Sequence, residues 1–223
     1  MNKQEIIEKT ANFVKERLES DSSGHDWWHT YRVWRLAKHI SEHENANHLV
    51  VELTALLHDI ADWKLHDGDM KVGPKQAQEW LEILEVNKDD IYKVCDIIEK
   101  IPFKGAESNV PTDSIEASIV QDADRLDGIG AIGIARCFMF GGVKNLPMHN
   151  PDKSPNPSLK KEEYENIMRD TNTQINHFYE KLLLLKDLMN TDTGKKIAEN
   201  RHKIMEDYLK EFFKEWEGED LKS

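Results

Sequence analysis

The stretch Leu49–Asp59, LVVELTALLHD, constrains this chain more than any other. Apolar residues run almost unbroken from Leu49 to Leu57, and a helix that is apolar nearly all round has to be buried. At its end stand an imidazole and a carboxylate, His58 and Asp59. Burying such a pair is costly unless something compensates it. A bound cation does so, because neutral His and ionised Asp are both good ligands for a divalent metal. Two adjacent residues cannot complete a coordination shell, so further ligands must come from elsewhere in the chain.

The remainder reads as helices. Residues 3–19 carry apolar positions at helical spacing. A second helix starts near Asp26, suited to be its N-cap, and runs to about residue 44 with Trp27, Tyr31, Trp34, Ala37 and Ile40 as its apolar stripe. A third covers about 49–61, and two shorter ones about 75–85 and 88–100. Asp113 with Glu116 has the capping-box pattern, and it opens a helix over about 114–140 that is expected to kink at Gly128, Gly130 and Gly133. Residues 141–160 hold four prolines, which rule out a regular element and point to a lid or a mobile excursion. Helices over about 161–190 and 192–216 complete the pattern. No strand-like alternation, internal repeat or domain-scale linker is legible. The expectation is an all-α, single-domain helical bundle spanning residues 1–223.

Charge and composition narrow the partners. The 223 residues suffice for one large domain, and the formal net charge is −12. Such a chain repels nucleic acid and anionic membranes, and no dense Lys/Arg cluster offsets this. An anionic substrate therefore needs a metal and a few placed cations. Cys95 and Cys137 are too few and too far apart for a disulfide framework or a zinc finger, and read as small buried hydrophobes. The N-terminus lacks the apolar run of a signal peptide, and no segment approaches the ~20 apolar residues of a membrane span. A cytoplasmic monomer or homodimer with no nucleic-acid or membrane partner is expected.

Two residues answer the search for ligands. His29, in HTYRV, lies near the start of the second helix and off its apolar stripe. Asp124, in VQDADRLDG, borders the apolar face of its helix, with Asp122 and Asp127 close by. A buried helical carboxylate there calls for a cation. In chain order these residues spell H…HD…D. That pattern resembles the HD-domain metal-dependent phosphohydrolases, and the flanking text does too: HTYRV is similar to the family's H-x-x-R-V helix, ALLHDIAD to its ALLHDI helix, and QDADRLD to its last motif. Beyond residue 128, DADRLDGIGAIGIAR and HFYEKLLLLKDLMNTDTGKKIA resemble one bacterial branch of stand-alone HD hydrolases. Some members of that branch are nucleoside-triphosphate pyrophosphohydrolases. With the branch included, the resemblance covers nearly the whole chain.

The resemblance implies one divalent ion held by His29, His58, Asp59 and Asp124. Mn²⁺ is favoured because the branch tends to use it, with Mg²⁺, Ni²⁺, Co²⁺, Fe²⁺ and Zn²⁺ left open. It also implies Asp62, one turn beyond His58, as general acid/base. His66 and Asp67 are weaker candidates for that role. For substrate binding, Lys104 beside a glycine in PFKG is the best cation for a phosphate, and His25 lines the site. Arg125 follows the ligand Asp and either meets substrate or turns outward into a salt bridge. Trp28 and Trp63 border the site and could face a base. The implied reaction is hydrolysis of a (deoxy)nucleoside triphosphate to monophosphate and pyrophosphate. A 5′-nucleotidase and a phosphodiesterase stay open within the superfamily. In other functional classes stand a non-catalytic nucleotide-binding or sensing HD module and an HD-type di-iron oxygenase, which would need histidines that are missing between His66 and His149.

Two patterns are set aside. His39 and His43 sit among charged neighbours and read as a solvated face. GIGAIG at 128–133 fits Gly-x-Gly-x-x-Gly, but no strand precedes it, so the dinucleotide reading fails.

Overall fold

The computed structural model describes residues 1–18, 26–60, 71–100, 112–156 and 173–222. Among these, every regular element is helical, as expected. The α-helices are α1 Lys3–Leu18, α2 Trp27–Ser41, α3 His48–Leu57, α4 Val72–Ile83, α5 Lys88–Lys100, α6 Ile115–Asp127, α7 Gly130–Val143, α8 Gln174–Glu180 and α9 Asp192–Trp216. Two 3₁₀ segments, Leu182–Leu188 and Glu219–Lys222, lie beside α9 in sequence. Among the described residues, contacts fall into two compact units, one ending at Asp124 and the other starting at Arg125.

In the first unit α3 is the centre. Every residue from Leu49 to Leu57 is buried, as its apolar run requires. α2 and α5 pack against it, and α1 does too. Asn47 explains how the ends are held. Its side-chain oxygen caps α3 at the Leu49 N–H, 3.2 Å away. Its own backbone N–H donates to Glu116 on α6 at 2.9 Å, and its amide donates to Asp90 on α5 at 3.0 Å. One residue, through its side chain and its backbone N–H, thus ties three helix starts together. Glu116 is drawn away from the capping-box role its spacing suggests. Ser114 caps α6 instead, accepting from the Ala117 N–H at 3.1 Å, while Asp113 pairs with Lys100 at 3.0 Å. α1 is joined to α4 by a stacked Phe13–Trp80 pair, centroids 3.8 Å apart, and by the Trp80 indole N–H donating to Thr10.

In the second unit α7 packs on α9 around Phe138, Phe178 and Tyr208. The expected helix over 114–140 is broken rather than kinked: α6 ends at Asp127 and α7 starts at Gly130. Gly130 takes φ +74°, a left-handed conformation open to glycine. A Cβ on Gly133 would collide with the carbonyl oxygen of Gly128. The Gly-x-Gly-x-x-Gly spacing therefore serves a tight corner between helices. The continuous helix expected up to residue 190 is also corrected within the described part. α8 stops at Glu180, Lys181 leaves helical geometry (φ −141°, ψ −59°), and a 3₁₀ segment follows. The 3₁₀ turn aligns residues three apart on one side, and Leu182 and Leu185 are both buried.

The Pro-rich stretch is tied down where it is described. Its carbonyls at Pro147 and Met148 accept from the Gln174 and Ile175 N–H groups at 3.1 and 3.0 Å, and Asn176 donates to the Lys153 carbonyl. His149 sits edge-on against Phe213 and Trp216 of α9. No single helix among the described residues is long and apolar enough to cross a membrane.

The corner gives a direct test. Gly133→Ala is expected to lower stability by about 2–3 kcal/mol through steric overlap, seen as a Tm lower by roughly 5–10 °C. Gly142→Ala, where a Cβ meets open space, should cost nothing. Equal Tm values for the two variants would show that the close approach at Gly133 does not exist.

Candidate metal centre

The site is built where α2, α3 and α6 of the first unit present His29, His58, Asp59 and Asp124. Asp26 is the N-cap of α2, and its carboxylate accepts from the His29 backbone N–H at 2.8 Å. The cap thereby fixes the first turn that carries the imidazole. α3 ends at Leu57, four residues earlier than its sequence pattern suggests, with His58 as C-cap. His58 and Asp59 therefore lie at the carbonyl end of a buried helix, whose negative dipole end favours a cation.

The polar atoms converge. His29 Nε2 is 3.3 Å from Asp59 Oδ2 and 3.5 Å from Asp124 Oδ1, and His58 Nε2 is 3.3 Å from Asp59 Oδ2. The two imidazole rings meet edge-on with centroids 5.5 Å apart. Atoms bound to one ion at about 2.1 Å in an octahedral shell are spaced about 3 Å along its edges, so these separations need only a small contraction. The side chains of His29 and His58 are 1 % and 6 % exposed, whereas Asp59 and Asp124 are 25 % and 21 % exposed. The imidazoles form the floor and the carboxylates face the opening.

His58 supplies the test of fit. Its Nδ1 lies 2.8 Å from the Ala55 carbonyl oxygen. A carbonyl only accepts, so Nδ1 carries the proton and Nε2 of the neutral ring is a lone pair. Nε2 is buried against the Asp59 carboxylate at 3.3 Å, and a histidine whose other nitrogen is fixed by a backbone carbonyl is oriented as metal-ligating histidines are. Two imidazole nitrogens and two carboxylates suit a divalent ion of the Mn²⁺, Fe²⁺ or Zn²⁺ kind. His29, His58 and Asp59 alone already form a group with ligand atoms within 4.8 Å of one another.

Without an ion, burial works against the His58 imidazolium. The Asp59 and Asp124 carboxylates outweigh burial and the opposing His29, so His58 titrates above the ordinary histidine value.

The other expected site residues divide. Asp62, Lys104 and His25 lie outside the described residues, as do His66, Asp67 and Trp63. Arg125 is buried, and its Nη1 donates to the Leu188 carbonyl. Asp127 is likewise buried and pairs with Arg136. His39 and His43 are engaged with each other, His43 Nδ1 lying 3.0 Å from the His39 carbonyl oxygen. Burial pushes the Cys95 and Cys137 thiols up to about 11 and about 12, so neither is a thiolate nucleophile at neutral pH. Asp26 and Ala55, which orient the two histidines, were not singled out as site residues from the sequence. Asp26 was legible only as a cap.

Comparison with known proteins shows the family. The family model described as HD domain matches residues 27–129. The uncharacterized protein YpgQ of Bacillus subtilis is 38% identical over 97% of this chain and 96% of its own length. A crystal structure of an HD-superfamily hydrolase from Bacillus thuringiensis is 45% identical, covers 97% of this chain and 99% of that one, and superposes with a TM-score of 0.78. Bacillus subtilis YpgQ crystallised in complex with ADP is 36% identical over 96% of this chain and 97% of that one, with a TM-score of 0.76.

Metal binding must displace the His58 proton, and this sets its pH dependence. While His58 is protonated, affinity should rise about tenfold per pH unit, then level off above its raised pKa. In the metal-free protein the sign is opposite. A raised folded-state pKa contributes stability at low pH that is lost as pH rises through it. Chelator-competition titrations from acid to mildly alkaline pH measure the first effect, and a flat profile would remove His58 from the ligand set.

Proposed function

The chain belongs to the HD-domain family of metal-dependent phosphohydrolases, and from that premise we propose that it hydrolyses nucleotides at one divalent ion held by His29, His58, Asp59 and Asp124. The observation that carries the ligand assignment is the convergence of the His58 and His29 Nε2 atoms on Asp59, with Asp124 joined to the group through His29. Support for a nucleotide ligand comes from the related Bacillus subtilis protein, which was crystallised with ADP.

The preferred substrate is a (deoxy)nucleoside triphosphate, attacked at the α-phosphorus to give monophosphate and pyrophosphate, with Mn²⁺ as the working ion. The bound ion would supply Lewis acidity toward a phosphoryl oxygen and a lowered pKa for a coordinated water. The chain's own residues have separate tasks. The Ala55 carbonyl holds the Nδ1 proton of His58 and so keeps Nε2 available as a donor atom. The Asp26 cap fixes the turn from which His29 projects. Asp59 and Asp124, at the exposed side of the cluster, fix where the ion meets an incoming phosphate. Asp62 as general acid/base, and Lys104 and His25 toward the phosphates, complete the proposal on the strength of the family pattern.

Purified protein with added Mn²⁺ would be given ribo- and deoxyribonucleotides as mono-, di-, tri- and cyclic phosphates, and the products separated by ion exchange. Pyrophosphate plus monophosphate from triphosphates is the expected result. Asp59→Ala should lower kcat/KM by at least about 100-fold, since even partners one shell further out are worth 10–100-fold. Free phosphate from monophosphates would move the function to a nucleotidase. No turnover of any nucleotide with any divalent ion would overturn the proposed reaction.

A further inference from the structure

The first turn of α2 carries more aromatic surface than the metal cluster uses. Trp27 is buried, but Trp28, the residue immediately before His29, is 59 % exposed, the most of any described tryptophan. Trp34 and Trp80 spend their indole N–H groups on Glu52 and Thr10. Trp28 has no such partner among the described residues. Its one ring contact there is a T-shaped meeting with Tyr31, centroids 5.9 Å apart at 80°. At 59 % exposure the indole keeps much of its surface available to a ligand.

We propose that Trp28 is the base-stacking platform of this site: a nucleotide whose phosphates meet the metal lays its base on the exposed Trp28 ring. The proposal rests on the nucleotide reading above and adds where the uncharged half of the ligand goes. Adjacent helical residues are 1.5 Å apart along the axis, and helical side chains lean toward the N-terminus. Trp28 and His29 therefore share the first turn of α2, about 100° apart around its axis, with His29 buried in the cluster and Trp28 exposed. The cluster opens on the side of its carboxylates, and a nucleotide places its base one sugar away from its first phosphate.

Charge favours stacking over other means of recognition. The chain carries −12 overall, and the cluster contributes two carboxylates of its own. Away from the cation, a polyphosphate is repelled. The base carries no charge and offers a π face, and an exposed indole is the group that gains most from covering it. Stacking tolerates any base, so the site should accept all four nucleosides and hold purines tighter than pyrimidines because they cover more of the ring.

The test is calorimetric and uses the Mn²⁺-loaded protein with two probes, ADP and inorganic pyrophosphate, which lacks the base. Trp28→Ala should weaken ADP roughly tenfold, within the range set by alanine substitution at base–aromatic stacks, and leave pyrophosphate unchanged. Trp28→Phe should restore most of the ADP affinity. Equal weakening of both probes would mean a merely structural role and would overturn the proposal, as would no change for either, or failure of the wild-type protein to bind ADP. The outcome is separable from the reaction proposed above. A protein that binds ADP through Trp28 but hydrolyses no triphosphate keeps the platform and loses the reaction, and one that hydrolyses triphosphates with no base-dependent loss in Trp28→Ala does the reverse.

Discussion

The first unit is organised around an electrostatic debt: two buried imidazoles and two carboxylates linked by contacts of 3.3–3.5 Å, Asp124 to His29, His29 to Asp59 and Asp59 to His58. With both histidines neutral the group carries two negative charges, and the polar atoms on its floor have lost their water. Such an arrangement persists only if the surroundings hold it rigidly, and the surroundings do. α3 is buried on every side and cannot rotate to release His58. The Ala55 carbonyl pins the ring orientation, the Asp26 cap pins the turn that bears His29, and Asn47 ties the start of α3 to α5 and α6. The raised pKa of His58 shows where the debt falls without a metal: a proton takes the cation's place.

α6 shows how one helix assigns like residues to unlike tasks. Within six positions it carries Asp122, Asp124, Arg125 and Asp127. Successive residues on a helix point about 100° apart, so neighbours in sequence face different surroundings. Asp124 faces the imidazoles. Arg125, next to it, turns to the Leu188 carbonyl, and Asp127 turns to Arg136. Replacing a charge buried in this way leaves its partner uncompensated in a low-dielectric interior, which is the expensive case. The charged text of this helix is therefore as much about holding the 3₁₀ segment and α7 as about chemistry.

The sequence showed the parts of this design that are local. The apolar run of α3, the cap at Asp26 and the span Asp192–Trp216 follow from spacing and capping rules, and the structure agrees with each. So did the gathering of His29, His58, Asp59 and Asp124, through three motifs that are specific only together. What escaped was long-range. Nothing near Glu116 says that it will reach Asn47, 69 residues away, rather than close its own capping box. Nothing near Arg125 says that Leu188 will claim it. The run LLLLK reads as helix by propensity, yet the segment is 3₁₀, and the Leu188 carbonyl that Arg125 binds lies at its end. In each case a partner distant in sequence overrode a sound local rule.

The balance of charge also explains why so acidic a chain can serve an anionic ligand. A divalent ion held by the cluster would not make the site positive. It would cancel the two carboxylates and leave local neutrality in a chain of excess negative charge. Phosphate binding then depends on direct coordination over a short range, with screening in salt removing most of the longer-range repulsion. The rest of the ligand has to be held by forces indifferent to charge. The stacking role proposed for Trp28 would meet that requirement, and a surface rich in lysine would not. Acidity and an exposed tryptophan are, on this reading, two sides of one constraint: the metal supplies attraction where bonds are made, and everywhere else the protein must bind without it.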